Sequence, residues 1–291
     1  MTDQTKGFIN GIVSGISFGL IPLFSIPVIA AGMPDVSILV YRFLFGCCFM
    51  LAALLVMKVD MRISFSDLWR ISILSLFYIG TAIFTLHCYH YLSSGIATAL
   101  VYTDPIWCSL IGFLFLKEKF SWKLTSSVVM ATLGVMMMTG VFTEDGTFSA
   151  IGVTVGLLSG LAYALYLIFL PRLGISSMPS LKLTFYVFLI GMVMMIAYSF
   201  IAEGKVEVPS DNRVWINLIL LGLLPTAVSN ICVTMSLKLI DSTMVAILGA
   251  FEPLTAMFIG IAILGEPFSF LSIAGAALVL VAVAILTLRR N

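Results

Sequence analysis

Residues 104–121 read DPIWCSLIGFLFLKEKFS, and residues 252–269 read EPLTAMFIGIAILGEPFS. Set 148 residues apart without a gap, they pair Asp104-Pro105 with Glu252-Pro253, Gly112 with Gly260, Leu116 with Leu264, Glu118 with Glu266, and Phe120-Ser121 with Phe268-Ser269. The likeness extends outward. Gly11, Gly15 and Gly19 match Gly152, Gly156 and Gly160 in residue type and spacing, while Pro34, Tyr41, Phe43 and Gly46 match Pro179, Tyr186, Phe188 and Gly191 at an offset of 145. A chain that repeats itself about its midpoint is built from two copies of one unit, here residues 1–145 and 146–291.

Composition says where those units reside. Of the 291 residues 61% are hydrophobic and 10% charged, whereas soluble domains carry about 25% charged residues. Breaking the chain at clusters of charge, Gly and Pro predicts ten apolar runs, at 8–31, 35–57, 69–91, 95–116, 123–142, 149–171, 179–202, 213–238, 242–264 and 270–289. A bilayer crossing takes about 20 residues, so ten helices use up the chain and leave no sizeable soluble domain. The expected fold is an all-α polytopic membrane protein with ten transmembrane helices. Nucleic acid, a dinucleotide cofactor and a catalytic ectodomain are excluded as partners or activities, and a net charge of +1 argues against a polybasic patch. Cys47, Cys48, Cys88, Cys108 and Cys232 all fall in apolar runs without metal-ligand spacing and read as packing residues. The first run exceeds twenty residues and contains Pro22 and Pro27, which predicts a retained helix rather than a cleaved signal peptide.

With the N-terminus placed in the cytoplasm, one side collects Lys6, Lys58, Arg62, Arg70, Lys117, Lys119, Lys123, Arg172, Lys182, Lys238, Arg289 and Arg290, and the other only Lys205 and Arg213. The positive-inside rule then predicts both termini in the cytoplasm. Five spans per half is an odd number, so the second half enters from the opposite side and the repeats are inverted. Inverted repeats suit alternating access, because exchanging the two repeat conformations turns an inward-open state into an outward-open one.

The ten spans in two inverted halves, the Leu116-Lys117-Glu118 and Leu264-Gly265-Glu266 endings and the Glu252-Pro253 pair together resemble the EamA branch of the drug/metabolite transporter superfamily. The resemblance covers nearly the whole chain. It implies a ten-span exporter of amino acids or other small metabolites in the bacterial inner membrane.

Arg42, Asp104 and Glu252 are the charges left inside spans, where an Arg or Asp at a helix centre costs about 2.5 to 3.5 kcal/mol on insertion scales. Counting rise per residue puts Asp104 roughly 13 Å below the outer surface, Glu252 roughly 15 Å above the inner one and Arg42 roughly 10 Å from the outer one. Arg42 and Asp104 either line a substrate path or form a structural pair between the second and fourth helices. Pro105 and Pro253 follow the acidic residues and read as kinks that free carbonyls near Val101 and Gly249. Trp107, Tyr102, Phe251 and Tyr163, with Tyr166, offer aromatic walls for a substrate or ordinary packing. Asn230 is a buried amide that can bind substrate or bridge helices.

Trp69, Trp122 and Trp215 fall at span ends as interfacial belt residues. His87 and His90 share a helix face, but no further ligand at their level makes a metal site of them. Glu118 and Glu266 read as turn and capping elements.

The expected function is export of a small polar or zwitterionic metabolite, foremost an amino acid, by a non-enzyme with no cofactor, with protons as the candidate coupling ion. The protein is expected to work as a monomer or weak homodimer. Proton-coupled efflux of lipophilic cations is the alternative within transport, and an integral-membrane lipid-modifying enzyme the alternative outside it.

Overall fold

A computed structural model describes residues 2–89, 91, 100–117, 121–138, 149–175, 177–202, 204–209, 211–263 and 270–287. Among these residues the chain is helical and contains no strand. The helices are α1 (Asp3–Phe18), α2 (Ile21–Ala30), α3 (Asp35–Val56), α4 (Phe65–Tyr89), α5 (Asp104–Phe115), α6 (Trp122–Met138), α7 (Ala150–Phe169) and α8 (Ser180–Ala202). After these come α9 (Asn212–Gly222), a π-helical turn (Leu223–Val228), α10 (Ser229–Leu237), α11 (Ser242–Leu248), α12 (Phe251–Ala262) and α13 (Phe270–Thr287).

Local chemistry explains several starts. Thr2 caps α1 by accepting from the Thr5 N–H at 3.2 Å, with Asp3 in the first turn. Asp211 caps α9 by accepting from the Arg213 N–H at 3.0 Å. Pro34, which cannot donate, sits at the N-cap of α3, where no intrahelical donor is needed.

Seven segments are long and apolar enough to cross a membrane: Asp3–Ala30, Asp35–Val56, Phe65–Thr85, Ala150–Phe169, Ser180–Ile201, Asn212–Leu237 and Ser242–Ile259. The three shorter apolar helices Asp104–Phe115, Trp122–Met137 and Ile273–Ile285 lie where the sequence predicts the fourth, fifth and tenth spans. These three are too short by themselves for a crossing of about 20 residues, partly because residues 92–99, 118–120 and 139–148 lie outside the described set. His90, Glu118, Gly265 and Glu266 lie outside it too.

The chain divides into two compact units, each of which draws on both sequence halves. The first comprises Met1–Ile79 and Phe169–Leu239, the second Gly80–Ile168 and Ile240–Asn291. In the first, α3 packs on α8, and Phe43 meets Phe188 edge-on at 5.2 Å with Tyr78 against both rings. Phe43 and Phe188 are repeat counterparts, so the contact joins a position to its own image, as at a twofold interface. On α1, Ser14 Oγ donates to the Ser229 carbonyl at 2.9 Å, and Ser229 Oγ donates back to the Ser14 carbonyl at 3.0 Å. Ser236 Oγ donates to the Gly7 carbonyl at 2.8 Å. Along one edge, Lys182 Nζ donates to the Arg62 carbonyl at 2.6 Å and the Tyr186 hydroxyl to the Met61 carbonyl at 2.5 Å, which ties down the connection between α3 and α4. Lys238, beyond the end of α10, donates to the Met178 carbonyl, and burial pushes its ammonium below the ordinary lysine range.

The second unit repeats the α1–α10 bonding where α4 crosses α7. Thr81 Oγ1 donates to the Ser159 carbonyl at 3.0 Å, Ser159 Oγ donates to the Thr81 carbonyl at 2.9 Å, and Cys88 Sγ lies 3.4 Å from the Gly152 carbonyl. Shifted by 145, Gly7 and Ser14 become Gly152 and Ser159; shifted by 148, Thr81 and Cys88 become Ser229 and Ser236. Both contacts therefore recur at equivalent positions, and the repeat is visible in hydrogen bonds as well as in letters. α6 packs tightly on α13 at Gly134, where an added Cβ would come within 2.7 Å of the Gly275 carbonyl oxygen and 3.1 Å of the Val279 nitrogen.

Gly134→Ala should therefore cost about 1 to 3 kcal/mol, because backbone rather than a movable side chain blocks the new methyl; thermal unfolding in detergent measures it, and an unchanged melting point would contradict this packing. Ser14→Ala and Ser229→Ala, each removing one hydroxyl that donates to a backbone carbonyl, should each cost about 0.6 to 1.7 kcal/mol, the range for hydrogen bonds between membrane helices; thermal unfolding in detergent measures it.

Candidate functional site

In the second unit the fourth and ninth spans are both broken beside their acidic residues. Leu100 and Val101 are helical, Tyr102 and Thr103 form a turn, and α5 begins at Asp104. Likewise α11 ends at Leu248, Gly249 and Ala250 form a turn, and α12 begins at Phe251. Pro105 and Pro253 thus stand in the first turn of a new helix, which needs no N–H from them for its own bonds, and not in a continuous kinked one. The free acceptor expected near Gly249 is already used, since its carbonyl takes the Glu252 N–H at 2.8 Å. The Val101 carbonyl lies against Gly160, where an added Cβ would be 2.8 Å away.

Each break places a carboxylate on the first turn of a half-helix, where the aligned peptide dipoles favour negative charge. Asp104 is buried and Glu252 half-buried. Tyr102 joins the two breaks, its buried hydroxyl donating to the Ile247 carbonyl at 3.2 Å and lying 3.4 Å from that of Ala246. Asp104 and Glu252 lie within electrostatic reach of each other and of the Tyr102 phenol. Of the aromatic candidates, Trp107 is half-buried and its indole N–H, shielded from solvent, has no acceptor among the described residues. Phe251 is half-buried at the start of α12, and Tyr163 stacks on the fully buried Tyr166 with ring centroids 6.1 Å apart.

Arg42 and Asn230 belong to the first unit. Arg42 sits on α3, half-buried, and its Nε donates to Thr226 Oγ1 at 2.8 Å. Thr226 is fully buried in the π-helical turn, and its hydroxyl donates in turn to the Leu221 carbonyl at 2.8 Å. Pro225 accounts for this arrangement: it lacks the N–H that would have served Leu221, and the neighbouring hydroxyl replaces it. Asn230, also fully buried, donates through Nδ2 to the Thr226 carbonyl at 2.9 Å, while its Oδ1 has no donor among the described residues. Close approach of α3 depends on Gly46, one turn from Arg42, where a Cβ would meet Thr226 Cγ2 at 2.9 Å.

Thr226 is the residue that sequence reasoning missed; the signal was a proline followed by a hydroxyl inside the eighth span. Of the expected belt residues, Trp69 and Trp122 are exposed, whereas Trp215 packs edge-on to Tyr41 at 5.2 Å. His87 lies 6.3 Å from the Tyr91 ring, and among the described residues no group of three metal-ligating side chains occurs.

Against known proteins, the sequence profile of the EamA-like transporter family matches twice, over residues 5–140 and 150–288. An uncharacterized transporter of Archaeoglobus fulgidus is 23% identical over 230 residues, covering 79% of this chain and 81% of that one. A second from the same organism is 27% identical over 191 residues, or 66% of each chain. A solved crystal structure superposes with a TM-score of 0.84 at 17% identity, over 98% of this chain and 97% of the other, which is a likeness of fold. With both of its repeats matched, the chain belongs to the EamA-like transporter family and is a multi-pass membrane transporter.

Proposed function

We propose that the protein exports a small polar or zwitterionic metabolite, foremost an amino acid, across a bacterial inner membrane by alternating access. The carrying observation is the pair of broken spans, each opening a half-helix with a carboxylate in its first turn and joined by the Tyr102 hydroxyl. Irregular backbone at membrane depth is tolerated where it is buried in protein or lines a cavity, and transporters use such places to bind solutes and ions. In the second unit Asp104 or Glu252 suits a solute's amine, and in the first unit Arg42 suits a carboxylate. Trp107, Tyr102, Phe251 and Tyr163 supply aromatic surface, and Asn230 an amide oxygen.

The carboxylates of Asp104 and Glu252, each on the first turn of a half-helix in one unit, also favour a second reading, proton-coupled efflux of lipophilic cations. A carboxylate in an apolar interior is costly, and either a proton or an organic cation relieves that cost.

Reconstituted protein loaded with a mixture of radiolabelled amino acids should release at least one of them faster than empty liposomes do. Asp104→Asn and Glu252→Gln should each slow that release by about tenfold or more, the loss of roughly 1.4 kcal/mol or more of interaction. In the Glu252→Gln protein, release should no longer respond to collapse of the pH gradient. Transport of tetraphenylphosphonium with no amino-acid movement would favour the second reading instead. The charge distribution sets the topology: reporters fused before Thr2 and after Asn291 should both read cytoplasmic, and a periplasmic C-terminus would remove the inverted arrangement on which alternating access rests.

A further inference from the structure

We propose that Thr226 is a positioning residue for Arg42, fixing the guanidinium so that its two terminal nitrogens receive a solute carboxylate end-on; this rests on the reading of Arg42 as the group that meets the carboxylate. A guanidinium offers carboxylates two edges, one formed by Nε with a terminal nitrogen and the other by the two terminal nitrogens. Thr226 Oγ1 takes Nε at 2.8 Å and so closes the first edge. Within this unit no described residue takes either terminal nitrogen, which leaves the second edge for a ligand.

The hydroxyl is itself fixed. Its proton goes to the Leu221 carbonyl, which Pro225 leaves without the N–H four residues on, so Thr226 must present a lone pair to Arg42. The threonine backbone is held in turn by the Asn230 amide on its carbonyl. The methyl lies against Gly46, where nothing larger fits without moving it. Rotating the hydroxyl away would strand the Leu221 carbonyl in an apolar interior. The π-helical turn thereby converts a missing backbone donor into an oriented acceptor, and the acceptor sets the plane of the fork.

Repeat symmetry argues against a purely structural role. The counterparts of Arg42 and Thr226 are Val187 and Tyr78, and there the crossing is made by Ser75 Oγ, 2.9 Å from the Val187 carbonyl, with no charge involved. The scaffold therefore closes the equivalent crossing without a guanidinium.

The test uses the purified full chain in detergent, phenylglyoxal as the guanidine reagent and acetate as the carboxylate probe. Modification of the Arg42 peptide is followed by mass spectrometry in sodium acetate and in equal sodium chloride, alongside the melting temperature. Acetate should slow Arg42 modification about threefold or more relative to chloride in the wild type, as expected of a charge-assisted bidentate contact. Thr226→Ser, which keeps the hydroxyl, should retain that protection, and Thr226→Val should lose it. Gly46→Ala, which pushes on the Thr226 methyl while leaving every hydrogen-bonding group in place, should weaken it and gives the answer if the valine variant does not fold. Equal protection in wild type, Thr226→Val and Gly46→Ala overturns the proposal, as does a wild type in which acetate protects no better than chloride. Amino-acid release from liposomes is read separately: its absence would defeat the transport reading while the acetate result still decides the role of Thr226.

Discussion

In the interior of a bilayer a backbone carbonyl that loses its N–H partner has no water to replace it. Proline removes such a donor at Pro105, Pro225 and Pro253, all inside predicted spans. The chain answers each loss differently. At Pro253 the Gly249 carbonyl turns to the N–H three residues on, that of Glu252. At Pro105 the helix stops at Val101, and Thr103 closes the turn on the Leu100 carbonyl, next to the Val101 carbonyl that the proline deprives, with both its N–H and its hydroxyl. At Pro225 the helix widens into a π turn, and the Thr226 hydroxyl supplies the missing donor. Each remedy leaves a polar group where an uninterrupted helix would have none, and the candidate residues gather around these three places.

The same economy governs how the helices hold one another. Between membrane helices there is little hydrophobic drive, so close packing and short hydrogen bonds carry the association. Ser14 with Ser229, and Thr81 with Ser159, exchange hydroxyl protons for carbonyl oxygens in both directions. Such a bond needs the backbones near enough for a serine to span them, which fits the buried glycines at 7, 11 and 15 of α1 and 152 of α7, while Gly156 and Gly160 admit Leu100 and the Val101–Thr103 turn.

Much of this was legible in the sequence. The repeat offsets, the glycine stripes and the placing of Arg42, Asp104 and Glu252 as charges within apolar runs come from patterns that residue type alone reveals. The remedies were not legible, because a serine or threonine in an apolar run has many carbonyls within reach and the sequence does not say which one it finds. Nothing in the sequence marks Thr226 beside Pro225 as the substitute donor, and position at a span end says nothing of the Tyr41 ring beside Trp215. The prolines at 105 and 253 were read as kinks in continuous helices, since a proline in the first turn of a new helix and one in the middle of an old helix have the same local sequence. Only the turns at Tyr102-Thr103 and Gly249-Ala250 distinguish them.

Symmetry and its violation divide the labour between scaffold and chemistry. Interhelical bonds recur at equivalent positions of the two repeats, Ser14 as Ser159, Ser229 as Thr81, Ser236 as Cys88, which on the alternating-access reading proposed above lets each repeat adopt the other's shape. Recognition of an asymmetric solute requires the opposite. A single guanidinium at Arg42 faces only Val187 across the repeat, whereas the acidic position is kept as Asp104 in one half and Glu252 in the other. A twofold-related pair of carboxylates can present similar surroundings in both conformations, which suits a cation or proton handled in each. The guanidinium of Arg42 gives its repeat one polarity that the other does not share at Val187, which on the proposed reading matches a solute with one carboxylate end.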